Sequence, residues 1–152
     1  MNLRRMVMLA AVLFAWLPTP VAAQCPRVEV VEVMPRASRD TRPVAYRNGT
    51  IHVSRTPLST LADIVDIEFD PPWAISLTFK PEVEDRMEQV TGSRTNFPMA
   101  FVVDNDAVVS IVLRGGFGIG KGGLQISVDR NEERIRKIYD TLSRCVAVRP
   151  AK

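Results

Sequence analysis

The chain has 152 residues, 46% of them apolar and 24% charged, with 20 basic side chains against 17 acidic ones. The length suits one domain with a short leader. A net charge of +3, which falls to +1 once Arg4 and Arg5 leave with that leader, is weak evidence for a nucleic-acid or anionic-lipid partner, and no nucleic-acid partner is expected.

The leader comes first. Arg4-Arg5 precedes an uncharged apolar run from Met6 to Leu17, Pro18 and Pro20 break any helix, and Val21-Ala22-Ala23 supplies small residues. This is the pattern of a secretory signal peptide cut after Ala23. The apolar run falls short of the roughly 20 residues a membrane span needs, so no stable span is expected after cleavage. Cys25 invites a lipid anchor, but Gln24 stands where that processing wants a small residue, and lipidation is the weaker alternative. The expected location is the periplasm, with secretion as the other alternative.

Both cysteines, Cys25 and Cys145, survive cleavage and lie 120 residues apart. In an oxidising compartment such a pair reads as a disulfide. A loop of that length is worth about 4–5 kcal/mol on the chain-entropy model. With one histidine, His52, and no close cysteine pair, a zinc site is not expected.

Arg27 to Val33 is rich in β-branched residues and predicts a strand. Met34 to Pro43, with Arg36, Arg39 and Arg42, reads as a solvated loop. Asn48-Gly49 between two short strand-like runs predicts a hairpin, both turn residues being suited to positive φ. Thr56-Pro57 predicts a short helix of about two turns through Leu58, Leu61 and Ala62. Asp63 to Asp70 then alternates, with Val65, Ile67 and Phe69 on one face, and Trp73 to Phe79 alternates again.

Pro81 opens a helix with Glu82, Glu84 and Asp85 in its first turn, Val83, Met87 and Val90 as its apolar stripe, and Gly92 as its stop. Met99 to Asp104 and Ala107 to Leu113 predict two strands around Asn105-Asp106, and Leu124 to Val128 a third. In the last helix Asp129 is the expected cap, Ile135, Ile138, Tyr139 and Leu142 form the stripe, and Glu132–Arg136 and Glu133–Lys137 are i,i+4 pairs.

The glycine-rich stretch from Gly115 to Gly123 contains two near-matches to nucleotide motifs. Gly118-Ile-Gly120-Lys-Gly-Gly123 fits G-x-G-x-x-G, yet a strand pattern follows where that fingerprint needs a helix. Gly115-x4-Gly120-Lys121 has glycine at 122 where Ser or Thr would hold magnesium. No nucleotide, cofactor or metal is therefore expected. Phe117, Ile119 and Lys121 are instead the candidate binding residues, apolar tips and a cation carried on deformable glycines.

From Thr56 to Val128 the order of features resembles the head subdomain of the first periplasmic domain of SecD, a membrane subunit of the bacterial protein-export machine. Leu58-Ser-Thr-Leu-Ala-Asp-Ile64 resembles its lead helix, and Ala74 to Phe79 with Pro81 the strand entering its helix, which ends at Thr91. Met99-Ala-Phe-Val-Val-Asp104 is similar to its strand and turn, and Gly116 with Gly122-Gly-Leu-Gln-Ile-Ser127 to its glycine loop and closing strand. Ser110-Ile111-Val112 departs from the Ala-Pro common there.

The resemblance implies an α+β fold, a ferredoxin-like sandwich of a mostly antiparallel sheet with helices on one face. The SecD-head-like domain is expected over 56–148, with 24–55 as an N-terminal strand, basic loop and hairpin, and 149–152 as a tail. The resemblance also implies a non-catalytic module contacting unfolded or translocating polypeptides; a specific partner or inhibitor of one envelope protein is the alternative, independent of the resemblance. An enzyme would need Asp104 with Asp106, or His52 with a nearby acid. Asp and Asn at a hairpin turn, however, are expected for turn geometry alone.

Overall fold

The central strand of the molecule is Phe97–Val103, which reads Phe-Pro-Met-Ala-Phe-Val-Val and is apolar on both faces. Such a strand must be covered twice, and the rest of the chain is arranged to do that. The computed structural model describes residues 24–72, 74–113, 123–127 and 131–147. Its elements run β1 (Val28–Met34), β2 (Thr41–Tyr46), β3 (Gly49–Ser54), β4 (Ser59–Thr60), a 3-10 turn (Leu61–Asp63), β5 (Ile64–Asp70), β6 (Ala74–Phe79), α1 (Pro81–Gly92), β7 (Phe97–Val103), β8 (Asp106–Leu113), β9 (Leu124–Ser127) and α2 (Glu132–Ala147).

The strands form two sheets. The large one has the order β3-β2-β8-β7-β1-β4, and β3 also pairs with β1, which closes five strands into a small barrel. All its pairings are antiparallel except β2 with β8, joined by the single Ala45–Asp106 bridge. Val31, Val44, Val53, Ala100, Val102 and Ala107 fill its interior. Alanines at two of those positions suit so narrow a barrel. The small sheet, β5-β6-β9, presents Ile67, Phe69, Ile75, Leu77, Leu124 and Ile126 on one face.

That face, the buried stripes of both helices and the outer face of β1 and β7 (Val28, Val30, Phe97, Met99, Phe101) meet in one core. The β7 alternation is therefore shared, with Ala100 and Val102 turned into the barrel and the larger side chains turned out.

The α+β class is as expected. The expected ferredoxin-like sandwich of one mostly antiparallel sheet is not what forms: there are two sheets, the small one with only three strands. The large sheet is mixed and closes on itself, because β1 and β7 are apolar on both faces and need a second core.

Several local expectations shift. The two-turn helix after Thr56 is instead the short β4 and a single 3-10 turn. Asp63 accepts hydrogen bonds from the Thr60 backbone (2.8 Å) and hydroxyl (3.0 Å), capping the start of the turn, and the chain is extended again at Ile64. Asn48-Gly49 is not the pair at positive φ: the loop residues are Arg47 and Asn48, with Arg47 at φ 51 and Gly49 already in β3. Thr41 to Pro43 belongs to β2, not to a loop. In β5 a register shift between Ile64 and Asp66 turns Val65 outward, 51% exposed, and puts Ile64 in the core.

Helix α1 runs from Pro81 to Gly92 as expected, with Thr91 buried beside Val83 and Met87 and its hydroxyl donating to the Met87 carbonyl (2.8 Å). Helix α2 is capped by Asn131, whose Oδ1 accepts from the Arg134 backbone (3.0 Å); Asp129 lies outside the described residues, as do Trp73 and the 1–23 leader. Beyond α1, Arg94 makes a two-pronged bond to Glu32 (2.6 and 3.1 Å) and stacks over Phe97 (4.6 Å). Donating to Glu32 raises the pKa of the Arg94 guanidinium above its ordinary value.

Candidate functional site

Where β7 turns into β8, only two residues, Asp104 and Asn105, make the bend, and Asp104 takes φ 57. Aspartate tolerates that left-handed conformation better than most residues. The turn is fastened to the segment after Cys25: the Arg27 backbone donates to the Asp104 carboxylate (3.0 Å), and the Asp104 backbone donates back to the Arg27 carbonyl (2.6 Å). Facing it across a cleft of about 570 Å3 is α2.

The floor of the cleft is apolar, from Val103, Val108, Ile138 and Leu142, and its rim is charged, with Asp104 and Asp106 on the strand side and Arg134 and Lys137 on the helix side. Arg134 reaches across to Asp106 at 3.1 Å. Both partners are about half exposed, and such pairs contribute little stability. Lys137 has no ion-pair partner among the described residues.

The Cys25–Cys145 disulfide, with Cα atoms 5.8 Å apart, ties the last turn of α2 to the strand that begins beside the cleft. One end of the helix is thus held covalently, and its middle is held by Ile135 and Leu142, both fully buried. This fixes the distance between the two walls. The cleft is thus an apolar trough with opposite charges along its edges, open to an elongated amphipathic group.

The residues singled out from the sequence fall in different places. Cys25 and Cys145 meet in the disulfide. Asp104 and Asp106 both line the cleft, the first engaged in its turn and the second paired with Arg134. His52 sits on β3, cross-strand from Pro43 and Met34, and is not part of the cleft wall. Phe117, Ile119 and Lys121 lie outside the described residues.

Sequence reasoning passed over one polar cluster. Glu29, 3% exposed, accepts from Arg27 (2.8 Å) and from Arg42, and Arg42 also donates to Asn105 (3.2 Å). The signal was there: Glu29 shares the parity of Val31 and Val33, which point into the barrel. An acid on a buried parity calls for a cation. Arg42, read as a loop residue, is that cation.

No family model and no curated protein matches the sequence. Solved structures do. The chain superposes on SecDF in its super-membrane-facing form with a TM-score of 0.55 and 23% identity, over 78% of this chain and 18% of that one. The fold is SecD-like. It also superposes on a structure described as a membrane component, SecDF, that enhances protein export, with a TM-score of 0.56 and 21% identity, over 79% of this chain and 63% of that one. The chain therefore spans less than two thirds of the length of either SecDF structure. The resemblance to SecD read from the sequence is thus matched at the level of the fold. Among the described residues, no helix is long and apolar enough to cross a membrane.

Proposed function

We propose that this chain is an exported, non-catalytic module that binds polypeptide in the bacterial envelope. The observation that carries this reading is the likeness to SecDF, a protein described as enhancing export. Two features support it. A disulfide between the only cysteines suits an oxidising compartment such as the periplasm. The cleft beside it is a preformed apolar trough. In this reading Asp104 and Asp106 shape the cleft, since one is occupied by a turn and the other by Arg134.

A single envelope partner is the second reading, favoured by the fixed spacing of the cleft walls. Photo-crosslinkers at Lys137 in the cleft and at Phe117 in the glycine-rich stretch separate the two. Many weak polypeptide adducts from either position are the expected result, one stoichiometric adduct selects the single partner, and no protein adduct above background at both sinks the proposal. Hydrolysis of any substrate by the purified protein, abolished in Asp106→Asn, would reverse the non-catalytic assignment.

A further inference from the structure

The large sheet runs out before β8 does. β8 pairs with β7 along its whole length, from Asp106 opposite Val103 to Leu113 opposite Phe97. Among the described residues its other edge pairs with β2 at the Ala45–Asp106 bridge alone, because β2 ends at Tyr46 and turns back into β3. From Val109 to Leu113 that edge has no strand partner among the described residues. Backbone N–H and C=O groups on such an edge are satisfied by water or by another strand.

Natural edges discourage a second strand with lysine, proline or inward charge. Ala107-Val-Val-Ser-Ile-Val-Leu113 carries none of these. Val112, on the edge, is 57% exposed. A bulge opposite Phe101 and Val102 sets the faces beyond it, so that Val109, Ile111 and Leu113 share a face with Phe101, Met99 and Phe97. Over that face lies a second hollow of about 200 Å3, between Met99, Phe101, Val109 and Ile111 on one side and Leu124 and Ile126 of β9 on the other. Side chains of a strand added beside β8 would alternate between this hollow and solvent.

We propose that the Val109–Leu113 edge of β8 captures an extended polypeptide as an added strand, selecting segments with an apolar residue at every second position. The inference rests on the polypeptide-binding reading above and assigns it a place other than the charged-rim cleft. Main-chain hydrogen bonds supply sequence-tolerant affinity, and the hollow supplies the preference for alternation. The uncharged edge fits unfolded chain of either net charge.

The test uses a fluorescein-labelled nonapeptide alternating Val and Thr, its twin N-methylated at alternate residues, and a reduced, alkylated unfolded protein as a general probe. Fluorescence anisotropy gives affinity, and amide hydrogen exchange by NMR maps the site. Expected results are binding of the peptide and the unfolded probe, slowed exchange at alternate amides between Val109 and Leu113, and loss of at least about tenfold in affinity for the methylated twin. Val112→Lys should weaken peptide binding by a similar factor at an unchanged melting temperature.

Protection mapped to α2 and the Asp104 turn, with no effect of methylation, overturns the edge and leaves the polypeptide-binding reading standing. No binding of peptide or unfolded probe removes both. Concentration-dependent protection of the same amides without peptide overturns it in favour of pairing between two copies of this chain.

Discussion

Glu29 is the residue on which the barrel mouth depends. Its carboxylate is almost wholly buried and is held by Arg27 and Arg42, while the Nε of Arg42 is buried with no hydrogen-bond partner. Removing one member of a buried pair leaves the other charge uncompensated, at a cost of about 3–5 kcal/mol, whereas replacing both with apolar side chains of similar size comes close to neutral. Glu29→Gln should therefore lower the urea midpoint strongly at constant m, and Glu29→Leu with Arg42→Leu should recover most of the loss. Equal midpoints for Glu29→Gln and the parent would show that the pair carries no stability.

Gly123 is constrained in a different way. It takes φ +67, and a Cβ there would stand 1.9 Å from the Leu77 carbonyl oxygen, in the strand that pairs with β9. The left-handed conformation alone costs an alanine about 1–2 kcal/mol, and the clash adds to it. Gly123→Ala should melt well below the parent in a thermal scan, while Gly92→Ala, with open space around its Cβ position, should not lose more than about 0.5 kcal/mol.

At the scale of elements, β5 shows how much of the fold the sequence carries. Its alternation correctly predicts a half-buried strand, yet assigns Val65 to the core. One extra residue in the ladder moves Val65 to solvent and keeps Ile67 and Phe69 inside. A bulge leaves no mark in a period-two pattern, because the residues on either side of it still alternate. Val65→Thr should change stability by less than about 0.5 kcal/mol. Ile67→Ala should cost about 2–5 kcal/mol, a contrast that urea denaturation of the two variants resolves directly.

Helices were legible in part: Thr56-Pro57, read as a helix start, opens only a short strand and a 3-10 turn. Pro81, the acidic first turn and Gly92 are local signals, and α1 obeys them. The barrel was not legible, because its closure joins β1 to β3 and β2 to β8, and nothing within a strand names its neighbour. The same limit applies to the sites. Asp104 and Asp106 announced themselves by turn chemistry, but the cleft exists only because α2, from the far end of the chain, lies opposite them.

Across the whole molecule the disulfide links the first described strand to the last helix. Cys25 precedes β1, which runs through the large sheet, and Cys145 closes α2, whose Tyr139 packs on Phe69 of the small sheet (5.6 Å between rings). The bond thus ties the two sheets together through one helix, next to Pro26, which lines the cleft. Two consequences separate. Opening a 120-residue loop removes about 4–5 kcal/mol from global stability on the chain-entropy model, so Cys25→Ser with Cys145→Ser should shift the urea midpoint down by a matching amount, as should reduction of the parent. Locally, Val146 alone among the described residues of the last turn of α2 packs on the core near the bond, while Ile135 and Leu142 stay anchored further up. Amide exchange should therefore accelerate from Ser143 onward in the double variant before it does around Ile135. Uniform acceleration along α2 would instead mean that the helix leaves the sheet as a unit, and that the bond, more than the buried stripe, holds the cleft in shape.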